Sequence, residues 1–195
     1  ITSLNGEGDD TKIEAYFKEL IDEMPHYVFG RGNDKLSSVV GKLLLEQNKT
    51  IATVESCTGG ALAKTIVSIS GSSNYFQGSF LTYSNELKQK IVDVSKENIE
   101  NFGAVSEQVV KQMAANGRKK LGVDYCISTS GIAGPDGGTD EKPVGTVWIG
   151  IASPEDVYAY KFQFGDNRER NIQLTILTAL NLLRCKLLGI SMKIK

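Results

Sequence analysis

Glu55-Ser56-Cys57-Thr58-Gly59-Gly60 falls where a short strand pattern, TIATVE, gives way to a small-residue helix pattern, ALAKTIVSI. Strand-to-helix junctions are where α/β proteins present free backbone N–H groups to ligands. Two glycines let the chain turn tightly and approach a bound group, and the partial positive charge of a helix start suits a phosphate or a developing oxyanion. Ser56 is therefore a candidate nucleophile for acyl transfer. Read locally, the same residues also make an ordinary helix entry with a serine or threonine N-cap.

An attacking serine needs a base, and the chain has one histidine, His26, which follows Pro25 outside the α/β region. A Ser-His-Asp triad is thus unavailable there. A lysine can take the part if burial or a neighbouring positive charge lowers its pKa. Lys64, one turn into the helix after the serine, Lys88, in Tyr83-Ser84-Asn85-Glu86-Leu87-Lys88, and Lys142 are the candidates. Most lysines are solvated, so position alone leaves all three open. Cys57 has no imidazole nearby in sequence to activate it and ranks below Ser56.

A second glycine-rich stretch, Ser130-Gly131-Ile132-Ala133-Gly134-Pro135-Asp136-Gly137-Gly138, again follows a strand pattern. A lone loop of this kind mostly just turns the chain, but two at strand ends point to a shared pocket. Neither loop contains GxxxxGK[ST] or GxGxxG, so the usual phosphate cradles of ATPases and dinucleotide-binding proteins are not indicated.

These loops need elements to hold them. Ile13, Tyr16, Phe17, Leu20, Ile21 and Met24 recur at helical spacing up to Pro25, after a polar, Gly- and Asp-rich stretch over 1–10. Leu36, Val39, Val40, Leu43 and Leu44 predict a second helix from near Asp34. GSFLTYS and DYCISTSG read as strands, and Ser106 as the N-cap of the helix between them. GTVWIGIAS and VYAYKFQF, separated only by PED, predict an antiparallel pair, whereas helices between the earlier strands predict parallel neighbours. A last helix runs from about Asn167 to Leu188. The expected fold is three-layer α/β/α with a mixed, mostly parallel sheet over 34–195, preceded by a helical extension over 1–33.

Composition limits the function classes. With 195 residues, 41% hydrophobic, 23% charged and a net charge of -1, the chain reads as one soluble domain with an appended segment. The 22 basic and 23 acidic residues are interspersed, which disfavours bulk nucleic-acid binding, and no apolar run is long enough to span a bilayer. Cys57, Cys126 and Cys185 are widely spaced, with no CxxC pairing and no signal peptide in view, so the reading is a reducing cytoplasm and no metal. Cys126, Cys185 and Trp148 read as core.

VESCTGG, GSSNYFQGSFLTYSNELK, GAVSE, SGIAGPDGG and EKPVGTVW occur in the order and spacing of the CinA C-terminal domain, and the chain resembles that family from about Leu36 to Leu188. The resemblance implies a deamidase that converts nicotinamide mononucleotide to nicotinic acid mononucleotide in pyridine nucleotide recycling, without a cofactor. It implies a catalytic dyad of Ser56 and Lys88, with backbone N–H groups near Cys57, Thr58, Gly59 and Gly60 at the oxyanion. Tyr83, Asn85, Ser130, Gly131 and Gly134 would line the pocket, and Arg168 or Arg170 would meet the substrate anion. The family often reads Gly-Asp-Arg before the last helix, where this chain reads Gly165-Asp166-Asn167-Arg168-Glu169-Arg170. Residues 1–33 resemble the tail of the region preceding the domain in longer CinA proteins. A homo-oligomer, with a dimer favoured, is the expected assembly. The competing readings are a nucleotide-binding module without turnover and an oligomerisation domain of a competence- or damage-inducible protein.

Overall fold

The computed structural model describes residues 10–191. The stretch read over 1–10 therefore lies, but for its last residue, outside the described residues. Two helices come first, α1 (Asp10–Glu23) and α2 (Leu36–Glu46), followed by β1 (Ile51–Glu55), α3 (Ala61–Val67) and β2 (Phe76–Leu81). Three helices, α4 (Asn85–Val92), α5 (Lys96–Phe102) and α6 (Glu107–Leu121), lead to β3 (Tyr125–Gly131), β4 (Thr146–Ala152) and β5 (Val157–Gln163), and α7 (Arg168–Leu187) closes the fold.

The sheet order is β2-β1-β3-β4-β5. β1 pairs in parallel with β2 and with β3, while β4 is antiparallel to both β3 and β5. Only β4 opposes the common direction, so the sheet is mixed and four of its strands point the same way. The cause is connection length: helices carry the chain between β1, β2 and β3, whereas β4 and β5 are joined by a tight turn in which Ser153 Oγ accepts from the N–H groups of Glu155 and Asp156.

Side chains alternate across the sheet and give it two cores. Ile51, Ile127, Val147, Ile149 and Ile151 pack under α2, α3 and α7. Ala52, Val54, Cys126 and Ala152 pack on the other side under α4 and α6. That second interface is close, because a Cβ at Gly117 of α6 would stand 2.3 Å from Val54 Cγ2. The expected three-layer α/β/α architecture is thus what the chain adopts. Ser84, Ser95, Ser106 and Asn167 each accept a first-turn N–H and cap α4, α5, α6 and α7, at about 1 kcal/mol per cap.

Three details differ from the sequence reading. α4 and α5 were not anticipated. β2 begins at Phe76 and ends at Leu81, so Thr82, Tyr83 and Ser84 lie past the strand. Cys126 and Cys185 are fully buried, but Trp148 is only half-buried, because it stands on the face of β4 opposite Val147 and Ile149. Among the described residues of α1 none is buried. The segment after α1 is tied to α7 by Arg184, buried to 3% exposure, which donates to the carbonyls of Pro25 and Val28, and by Asn181, which donates to that of His26. Among the described residues, no helix is long and apolar enough to cross a membrane.

Candidate active site

β1 delivers Ser56 to the carboxyl end of the sheet, where Ser56 N–H donates to Thr129 O of β3 at 3.0 Å and holds the turn in line with the strands. The chain then reverses through Gly59 (φ 60) and Gly60 (φ 92), backbone that side chains other than glycine rarely adopt. Ser56 is left 7% exposed.

Lys88 arrives from the other helical layer, on the first turn of α4, with 1% of its surface exposed. Its Nζ lies 3.0 Å from Ser56 Oγ, 2.9 Å from Thr82 O and 3.3 Å from Tyr83 O. The two carbonyls can only accept, so they take two N–H bonds and leave the third position of the amine directed at the serine. When Lys88 is neutral, that position is a lone pair facing the serine proton. Burial pushes the Lys88 amine down to about 8, with a smaller opposing effect from Cys57. About a tenth is then free base at pH 7. Lys64 is exposed on α3 and Lys142 bonds Phe102 O, so of the three candidate lysines only Lys88 meets the serine.

Cys57 also lines the site, but burial pushes its thiol up to about 12, which keeps the sulfur protonated. Ser56 is the better nucleophile on that ground.

Glu55, unnoticed as a participant in the sequence, is fully buried and folds back over the turn. Its Oε2 accepts from Thr58 Oγ1 at 2.6 Å, Gly60 N–H at 3.0 Å and Leu62 N–H at 3.1 Å, and its Oε1 from Ala63 N–H at 2.8 Å. The start of α3, expected to hold a phosphate or an oxyanion, is thus already occupied by a carboxylate of the chain itself. Gly59 N–H is also spent, on Ser56 O. Within the turn, the N–H groups of Cys57 and Thr58 meet no backbone carbonyl among the described residues.

The cleft beside the dyad has a volume of about 180 Å³. Ser56, Cys57, Tyr83, Asn85, Lys88, Ser130, Gly131 and Arg168 line it, together with Ala104, Val105 and Ala133. Thr58, Gly59, Gly60, Gly134 and Arg170 are not among the lining residues. Thr58 and Gly60 face Glu55, and Arg170 N–H bonds the cap residue Asn167. Arg168, at the start of α7, donates to Gly134 O at 3.0 Å and leans over the rim without an acidic partner among the described residues. Ser130 Oγ donates to Ala104 O at 2.8 Å and joins the second loop to the GAVSE segment. Asn171 donates to Ala133 O of that loop at 3.0 Å and to Gly165 O, between β5 and α7, at 2.9 Å, and so ties the two together. Nothing in the local sequence marks Asn171, because its partners are carbonyls of a loop that any residue could supply.

Comparison with known proteins gives the family. Residues 33–187 match the family profile of the CinA C-terminal domain. A CinA-like protein of Cytophaga hutchinsonii is 48% identical over 189 residues, covering 94% of this chain and 45% of that protein. One from Endomicrobium trichonymphae is 50% identical over 162 residues, covering 83% of this chain and 38% of that protein. The chain therefore spans less than half the length of these relatives. The crystal structure of the competence/damage inducible protein CihA from Agrobacterium tumefaciens matches with a TM-score of 0.77 and 32% identity, covering 81% of this chain and 97% of that one. A CinA superfamily protein from Klebsiella pneumoniae matches with a TM-score of 0.77 and 30% identity, covering 79% and 96%.

Proposed function

The chain belongs to the CinA C-terminal domain family, and on that premise we propose that it is an amidohydrolase converting nicotinamide mononucleotide to nicotinic acid mononucleotide and ammonia. One observation carries the reading: a lysine with 1% of its surface exposed, its pKa lowered by burial, 3.0 Å from the hydroxyl of a serine at a strand end.

Neutral Lys88 takes the Ser56 proton as Oγ adds to the carboxamide carbon. The C=O electrons move to oxygen, and in this reading the N–H groups of Cys57, which lines the cleft, and of Thr58 beside it take that charge. Lys88 then gives its proton to the amide nitrogen as the C–N bond breaks and ammonia leaves. Water adds to the acyl-serine, again with Lys88 taking a proton and returning it to Ser56, and the carboxylic acid is released. The balance is amide plus water to acid plus ammonia.

The size of the cleft fits the reacting end of the substrate. An apolar cavity of about 150 Å³ holds benzene, so about 180 Å³ takes a pyridine carboxamide and leaves ribose and phosphate at the rim. Arg168 stands there, and in this reading it meets the phosphate.

Ammonia release from nicotinamide mononucleotide by the purified chain, with chelator present, is the test. Wild type is expected to turn over, Ser56→Ala and Lys88→Ala to lose at least about a thousandfold in kcat, and Arg168→Ala to raise KM. A folded wild type that binds the nucleotide without releasing ammonia would make the chain a binding module instead.

A further inference from the structure

The turn that carries Ser56 is held in an unusual way. Its helix, α3, has Gly60 at the cap position with no side chain to offer, and the cap is supplied instead by Glu55, from the far side of the turn. A buried carboxylate without a cation costs several kcal/mol unless its oxygens are filled. Here they are filled by three amides and by the Thr58 hydroxyl, while the single Thr53 proton goes to Ser79 Oγ at 2.7 Å. A threonine at the helix start would have capped α3 at no such cost. What the carboxylate adds is a tie between the end of β1 and the first turn of α3, across the residues that present the Cys57 and Thr58 amides.

The hydrogens of this network can be assigned. Thr58 Oγ1 has a single proton and gives it to Glu55 Oε2, so Thr129 Oγ1, 2.8 Å away, must be the donor to Thr58. Thr58 is therefore pinned from both sides, by the strand that precedes the turn and by β3. Ser56, Gly59 and Gly60 have their N–H groups on Thr129 O, Ser56 O and Glu55 Oε2. The two amides left over, those of Cys57 and Thr58, belong to the residue pinned by the network and the one before it.

We propose that Glu55, through Thr58 and Thr129, is a positioning residue that aims the Cys57 and Thr58 N–H groups at the oxygen of the group attacked by Ser56. The inference rests on the acyl-transfer reading of Ser56. It differs from a mere stabilising role in where its loss is felt: the amides act on the transition state, so kcat falls while KM stays.

The experiment compares wild type with Thr58→Val, Thr58→Ser and Glu55→Gln, well below their melting temperatures. It follows kcat and KM for ammonia release from nicotinamide mononucleotide, and the rate of Ser56 phosphonylation by a fluorophosphonate, whose P=O oxygen needs the same donors. Thr58→Val removes the hydroxyl at constant volume and is expected to lower kcat and the labelling rate about 10- to 100-fold, with KM within about twofold. Thr58→Ser restores the hydroxyl and the rate. Glu55→Gln sets an amide N–H₂ against donors and is expected to match Thr58→Val, with the pH midpoint of the lysine unmoved. Thr58→Val with unchanged kcat and labelling, a loss confined to KM, or no rescue by serine would overturn the proposal. Wild-type labelling without ammonia release would end the deamidase reading alone, and the labelling rates of the variants would still decide this one. A wild type that is neither labelled nor active would end both.

Discussion

At the scale of single residues, the site depends on Lys88 being kept in a place that does not suit its charge. Burial lowers its pKa to about 8 from an ordinary 10.5, so kcat/KM should climb about tenfold per pH unit below 8 and level off above it, in a pH-rate profile. The same shift bears on stability. Below about 8 both folded and unfolded chains carry the proton, and the full cost of burying it is present. Between about 8 and 10.5 only the unfolded chain is protonated, so stability rises with pH, and above 10.5 the cost is gone. Lys88→Met is thus expected to inactivate the protein and to abolish the rise in stability between about pH 8 and 10.5, read by urea unfolding at several pH values. In the sequence a motif singled out Ser56 and the lack of a usable histidine called for a lysine, but only the resemblance to the CinA domain chose Lys88 among Lys64, Lys88 and Lys142. The part played by Glu55 was not, because a glutamate closing a strand looks the same whether it faces solvent or folds back on the next helix.

Among the elements, the long periodic ones were readable and the short ones beside the cleft were not. α6 and α7 show full apolar stripes and capping residues. α5, KENIENF, offers only Ile99 to the core, partly buried, and leaves Phe102 exposed. α4 has eight residues, and its inward positions are a lysine and a valine, so hydrophobic periodicity misses the helix that carries Lys88. α6 matters for the opposite reason: it lies so close to β1 that Gly117 admits no side chain. Gly117→Ala should cost about 1 to 3 kcal/mol in thermal or urea unfolding, since either Val54 or the helix must move, and Val54 precedes Glu55 and Ser56 on the same strand.

For the molecule as a whole, the sheet order was only partly legible, since local patterns gave strand neighbours and directions but not the placement of β1 between β2 and β3. The attachment of the first segment was not legible at all, because Arg184 meets Pro25 O and Val28 O across more than 150 residues of sequence. Arg184→Ala should free that segment, seen as faster proteolysis between α1 and α2, with a loss of about 2 to 4 kcal/mol. One further consequence follows from the way the cleft spans the layers. Lys88 comes from α4 on one side of the sheet, and Arg168 at the rim from α7 on the other. Mutations arising in the α7 layer can therefore retune which anionic tail is welcomed while the bond-breaking pair is inherited untouched. On the proposed reading, a lineage with this architecture is free to diverge in its choice of nucleotide faster than in its chemistry.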